Sequence, residues 1–190
     1  MTFALETTHS QLETTFNAIK TFGFWQPRAQ IEPGNFAPII RRNSSPLLAP
    51  FELSLLRYGL VPPGFTSARE ADRYGLHQVR AKRVGWQREV GKLFAVGNRC
   101  LVPMTRAGEI FVAAGLWGHW TRVRHGSEVC VESFAVFTVQ DGLDRWVPLE
   151  IEAWDCHAWL EGGLDLETVA NMPAVMLEVT RSSASDHIFK

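Results

Sequence analysis

Short apolar runs separated by turn residues dominate this chain, and they predict strands far more often than helices. The clearest case is the stretch 98–120. Cys100-Leu101-Val102-Pro103 predicts a short buried strand closed by proline, and Ile110-Phe111-Val112-Ala113-Ala114 predicts a second that ends in Gly115-Leu116-Trp117. The polar Thr105-Arg106-Ala107-Gly108 joins the two, so they are expected to meet in one sheet. Residues 122–127 have the composition of a hairpin tip, and 129–140 is the longest β-type run, expected as a central strand. Residues 51–60 give another strand, leaving into Val61-Pro62-Pro63-Gly64. Both prolines fix φ and lack a donor, so this exit forms a rigid wall. A proline-rich extended loop from Gln26 leads into a strand at 37–40, which ends in Arg41-Arg42. The apolar start, Met1 to Leu5, offers an N-terminal strand that, if threaded into the sheet, would hold the first residues inside the fold, and 176–179 gives a last strand before a frayed end.

Helical spacing is rarer. Thr7-Thr8-His9-Ser10 offers N-caps for a helix reaching about Ile19, with Leu12, Phe16 and Ile19 on one face. Residues 67–74 predict a helical turn, 87–94 a helix, and 166–172 another short one. Residues 151–160 form an amphipathic pattern with Trp154, Ala158 and Trp159 in the apolar set, ended by Gly162-Gly163. The whole pattern predicts an α+β fold with a predominantly antiparallel β core and a few short helices. The 190 residues, 1–190, fit a single domain.

Composition narrows the function classes. The net charge of −1 provides no global field toward DNA or an acidic membrane, so any nucleic-acid affinity must come from local basic clusters. No apolar run is long enough to span a bilayer, and the N-terminus has no secretory pattern. Cys100, Cys130 and Cys156 are odd in number and lack CxxC spacing, which favours reduced thiols in a cytoplasmic protein. Cys156-His157 cannot readily share a metal, because neighbours on a helix point about 100° apart. No metal site is expected. Neither a glycine-rich phosphate loop, HExxH nor G-x-S-x-G is present, and no cofactor is implied.

Three places carry candidate chemistry. Residues 77–83, His-Gln-Val-Arg-Ala-Lys-Arg, hold three cations within four positions. On a strand Arg80 and Lys82 would share one face and Arg83 the other, giving either phosphate contacts or a solvated face. Glu109 is the only carboxylate of 98–120; it is either a strand-edge surface residue or a buried acid with a raised pKa. Thr2 would expose an α-amine beside its hydroxyl if the first methionine is removed, and an N-terminal threonine can act as a nucleophile with its own amine as base.

In order along the chain, these segments resemble the SOS-response-associated peptidase (SRAP) family. Met1-Thr2-Phe3-Ala4-Leu5 is similar to the family start Met-Cys-Gly-Arg-(Phe/Tyr)-(Ala/Ser)-Leu with two residues missing. The segment 27–41 resembles RYNIAPTQPVPVIR, Tyr58 to Gly64 resembles WGLVPPW, and Gln78 to Arg83 resembles NARAET. Asn98 to Pro103 resembles RRCLVP, Ala114 to Gly118 resembles AGLWE, and Leu143 to Leu149 resembles HDRMPVIL. The resemblance implies a β-rich domain with a groove for single-stranded DNA. It also implies an N-terminal cysteine that crosslinks to the aldehyde of an abasic site, assisted by an asparagine, a glutamate and a histidine.

Thr2 stands at the cysteine position, Gln78 at the asparagine and Leu143 at the histidine. Glu109 is either the family glutamate or an unrelated residue beyond a deletion. A hydroxyl is a far weaker nucleophile than a thiolate near neutral pH. The expectation is therefore a divergent member that binds single-stranded or abasic-site DNA, with crosslinking and peptidase chemistry lost or reduced. Arg80 and Arg145 sit at family positions associated with DNA contact, supported by Gln78, Lys82, Arg83 and Arg41, while Tyr58 could stack on an exposed base. Two alternatives stay open: an enzyme that uses the Thr2 amine with Glu109, and an interaction module that has abandoned DNA.

Overall fold

The computed structural model describes residues 1–45, 49–86, 88–124, 126–165 and 168. These form a single α+β domain with a mostly antiparallel sheet, as the pattern of apolar runs predicts. The main sheet is built from β2 (Ala18–Lys20), β4 (Phe36–Arg42), β5 (Phe51–Tyr58), β7 (Arg99–Arg106), β8 (Glu109–Arg124), β9 (Ser127–Gln140) and β10 (Trp146–Pro148). Its order is β10-β9-β8-β7-β4-β5-β2. The end of β5 pairs back onto β9, Arg57 with Ser133 and Tyr58 with Phe134, so strands 9, 8, 7, 4 and 5 close into a barrel. β6 (Gln78–Arg80) also lies parallel to β9, beyond the point of closure.

Register identifies the barrel interior. Arg41 on β4 meets Glu132 on β9 and the Trp117 ring on β8, although neither strand is its neighbour. Side chains from non-adjacent strands can meet only inside. Pairing places Glu52, Ser54, Leu56, Tyr58, Cys100, Gly115, Phe134 and Val136 on that same inner face. Outside, α3 (Arg88–Ala95) and α4 (Cys156–Glu161) cover the opposite face, with the buried Trp159 edge-on to Phe137 and its indole N–H donating to the Cys100 carbonyl.

Several expected elements shift. The first strand, β1 (Phe3–Leu5), pairs with β3 (Arg28–Ile31) in a separate two-stranded sheet instead of entering the main one. The first helix, α1 (His9–Phe16), stops three residues short of Ile19 because Asn17 adopts a left-handed conformation; Ile19 lies instead on β2. The helix expected over 151–160 begins only at Cys156, which leaves Trp154 exposed instead of in the core. β7 and β8 turn over Ala107 and Gly108, both at positive φ (52° and 84°), the two-residue hairpin whose twist suits its strands. The short helix at 166–172 and the strand at 176–179 lie outside the described residues. Among the described residues no helix is long and apolar enough to cross a membrane, and no cluster of three or more His, Cys, Asp or Glu could hold a metal.

Candidate functional site

Past the barrel closure, the inner face of β9 continues as the floor of a groove. Gln78 pairs with Val136, Arg80 with Thr138, and Trp146 on β10 with Gln140. Positions 136, 138 and 140 alternate with the same parity, so Gln78, Arg80 and Trp146 share one face. β6 ends at Arg80, and a 3₁₀ helix, Ala81–Trp86, takes over at once. Residues three apart eclipse in such a helix, which brings Arg83 back to the side of Arg80. Strand alternation would pair Arg80 with Lys82; in the structure Lys82 is exposed and does not line the groove.

The cavity at this place has a volume of about 510 Å³. Tyr74, His77, Gln78, Arg80, Arg83 and Trp146 line it, and among the described residues no carboxylate does. Arg80 lies 4.4 Å from the centre of the Trp146 ring, a cation–π contact that orients the guanidinium without neutralising it. Tyr74 follows α2 (Ala68–Arg73), and its ring meets Phe65, just past the Pro62-Pro63 wall, edge-on.

The start of the chain closes one end of the site. The Met1 amino group lies 3.2 Å from His77 Nε2, and the Gln78 amide nitrogen approaches the same atom at 3.3 Å. Both are donors, so Nε2 accepts and the ring proton belongs on Nδ1. Burial is the main force holding the His77 pKa below its ordinary value; the adjacent amino group adds to it, and Asp72 acts in the opposite direction. A neutral imidazole therefore faces the amine.

Tyr58 anchors this arrangement. Its hydroxyl donates to the Met1 carbonyl (3.2 Å), its ring stacks on Phe134, and Phe3 and His77 meet it edge-on. It is fully buried, and burial raises its pKa. Tyr58 is thus a support for the N-terminal segment, and its burial rules out the stacking on an exposed base that its place beside the proline wall suggests.

Other expected residues fall elsewhere. Arg41 is committed inside the barrel, with Nε 2.5 Å from Glu52 and Nη1 2.8 Å from Glu132, so it is a structural ion pair and not a DNA contact. Arg145 lies in an exposed turn, bound through its side chain to Asp141 (2.7 Å), and does not line the cavity. Glu109 is exposed at the hairpin tip opposite Arg106, which removes the buried-acid reading. Leu143, at the family histidine position, is exposed in the same turn as Arg145. Thr2 is exposed just before β1. His77, Tyr74 and Trp146 carry no site signal in the sequence, because their chemistry depends on partners brought in by the fold. The run His77-Gln78-Val79-Arg80 is the nearest clue.

A larger cavity, about 890 Å³, is lined by Arg41, Arg42, Glu52, Phe94, Arg99 and Trp117, among others. Its charges are mixed and its inner arginines are committed. Arg99 donates to the Trp159 and Leu164 carbonyls between the Phe94 and Trp159 rings. The smaller cavity is the better site because, among the described residues, no acid lines it beside its cations.

No family model matches the sequence, and no curated protein is similar to it. Solved structures are similar in fold. A protein from Bacteroides thetaiotaomicron superposes with a TM-score of 0.69 at 15% identity, over 89% of this chain and 84% of that one. A protein from Bordetella bronchiseptica gives 0.66 at 18%, over 84% and 87%. A phage-related protein from the same organism gives 0.57 at 15%, over 89% and 85%. At such identities the likeness defines a shared fold of nearly equal length.

Proposed function

We propose that this protein is a divergent SRAP-like protein of DNA-damage-response type that binds single-stranded or abasic-site DNA in the groove of Arg80 and Arg83. Its crosslinking and peptidase chemistry is lost or reduced. The observation that carries the reading is a pair of guanidiniums in a cavity that, among the described residues, no carboxylate lines, since arginine pairs well with phosphate. The order of SRAP-like segments supports it, with Gln78 and Arg80 on the groove floor. Thr2 in place of the thiol is the reason for expecting weak chemistry.

Where Met1 is retained, in place of the Thr2 amine that its removal would expose, the Met1–His77 contact favours a second reading, a slow amine reaction with the aldehyde of an abasic sugar. His77 Nε2 first takes a proton from the Met1 ammonium, the freed amine adds to the aldehyde carbon to give a carbinolamine, and the proton returned from His77 carries off the hydroxyl as water, leaving a protonated imine. Incubation with a single-stranded oligonucleotide carrying one abasic site, read by anisotropy and by denaturing gel, separates the two. Binding without a heat-stable band is the expected outcome. A band trapped by borohydride and lost in the His77→Gln variant would move the second reading to first place. No binding at low salt would refute both.

A further inference from the structure

Two aromatic side chains stand partly exposed in the groove. Tyr74 is 68% exposed and Trp146 39%, and both line the 510 Å³ cavity that holds Arg80 and Arg83. Large exposed rings are costly to hold in water unless something covers them. Trp146 has Arg80 over one face of its indole, which leaves ring area on a half-exposed strand. Among the described residues the one ring contact of Tyr74 is with the edge of Phe65. Gln78 lines the same cavity, and its amide offers both a donor and an acceptor. Phosphate-binding cations, flat apolar surface and one bifunctional amide are the components of a nucleotide site. An abasic sugar would leave the rings uncovered.

We infer that the groove takes a single-stranded nucleotide with its base intact, the base stacking on Tyr74 and Trp146 while Arg80 and Arg83 hold the flanking phosphates. This rests on the single-strand reading above but narrows its ligand from a lesion to an unpaired base. Stacking needs no base-edge complementarity, so the preference covers all four bases, with Gln78 supplying a modest bias. A duplex cannot present its base faces to such rings, so the ligand is an unpaired strand.

The test compares two fluorescein-labelled strands of equal length by anisotropy at low salt. One is an oligothymidylate; in the other, the central nucleotides are tetrahydrofuran analogues, which carry the phosphates but neither base nor aldehyde. The expected result is at least about ten-fold tighter binding of the thymidylate, a difference abolished by Tyr74→Ala and by Trp146→Ala. Tyr74→Ala is the safer variant, since Trp146→Ala also frees Arg80. Equal affinity for the two strands would overturn the stacking proposal and leave the phosphate-binding groove standing. Absence of binding to either strand would remove the groove reading and the stacking proposal with it.

Discussion

At the scale of single residues, the site is an environment more than a set of reactive groups. His77 is kept neutral chiefly by burial, and this has a consequence for stability. Its folded pKa lies below the ordinary value of about 6.5, so the unfolded chain binds the proton more readily. Stability is therefore fully present above about pH 6.5 and falls as the pH drops through the folded pKa. Urea midpoints at pH 7.5 and 5.0 should differ more for the wild type than for His77→Gln; an equal difference would show that the imidazole is not held neutral. Tyr58→Phe removes only the hydroxyl bond to the Met1 carbonyl and should cost about 1 kcal/mol in urea denaturation, leaving the stacked ring in place. Arg41→Ala should behave in the opposite way to a groove variant. It strands Glu52 and Glu132, at a cost of about 3 kcal/mol, while DNA affinity in a folded sample stays within two-fold of wild type, roughly the scatter of independent sites.

At the scale of elements, the strands were legible because their apolar runs are long and their turn residues conspicuous. β9 lies close to where the pattern puts it, but β8 runs on to Arg124 and pairs with β9 through most of the segment expected as the hairpin tip. The groove was only half legible. Arg80, Arg83 and Gln78 stand out as a basic run, but a period of two gives the wrong companion for Arg80, since the strand yields to a 3₁₀ helix after three residues. Such a switch follows from β6 losing its partner beyond Thr138, a tertiary fact with no local signature. Arg41 misleads for a related reason: a surface-like Arg-Arg pair closes a strand whose inner face runs into the barrel. The barrel also sets a steric limit at Gly115. A β-carbon there would lie 2.7 Å from Cys100 Sγ and 2.8 Å from Val102 Cγ2. Gly115→Ala should therefore destabilise by about 1–3 kcal/mol, seen as a lower midpoint at unchanged m; a neutral result would mean the strands part more easily than this packing implies.

For the whole molecule, a net charge of −1 means that attraction to a polyanion cannot come from a general field. It must come from a few cations in one place, so binding should be local, short-ranged and removable by few substitutions. That property separates this account from one in which the fold serves only as a protein-interaction surface. The decisive measurement is therefore the salt dependence of single-stranded DNA binding for the wild type and for the Arg80→Ala/Arg83→Ala double variant. Affinity for the wild type should fall linearly in log–log form, and the double variant should bind more weakly with a slope shallower by about 1.4, roughly 0.7 for each phosphate no longer neutralised. A wild-type affinity indifferent to salt, or a double variant with the wild-type slope, would contradict the assignment of this groove to DNA.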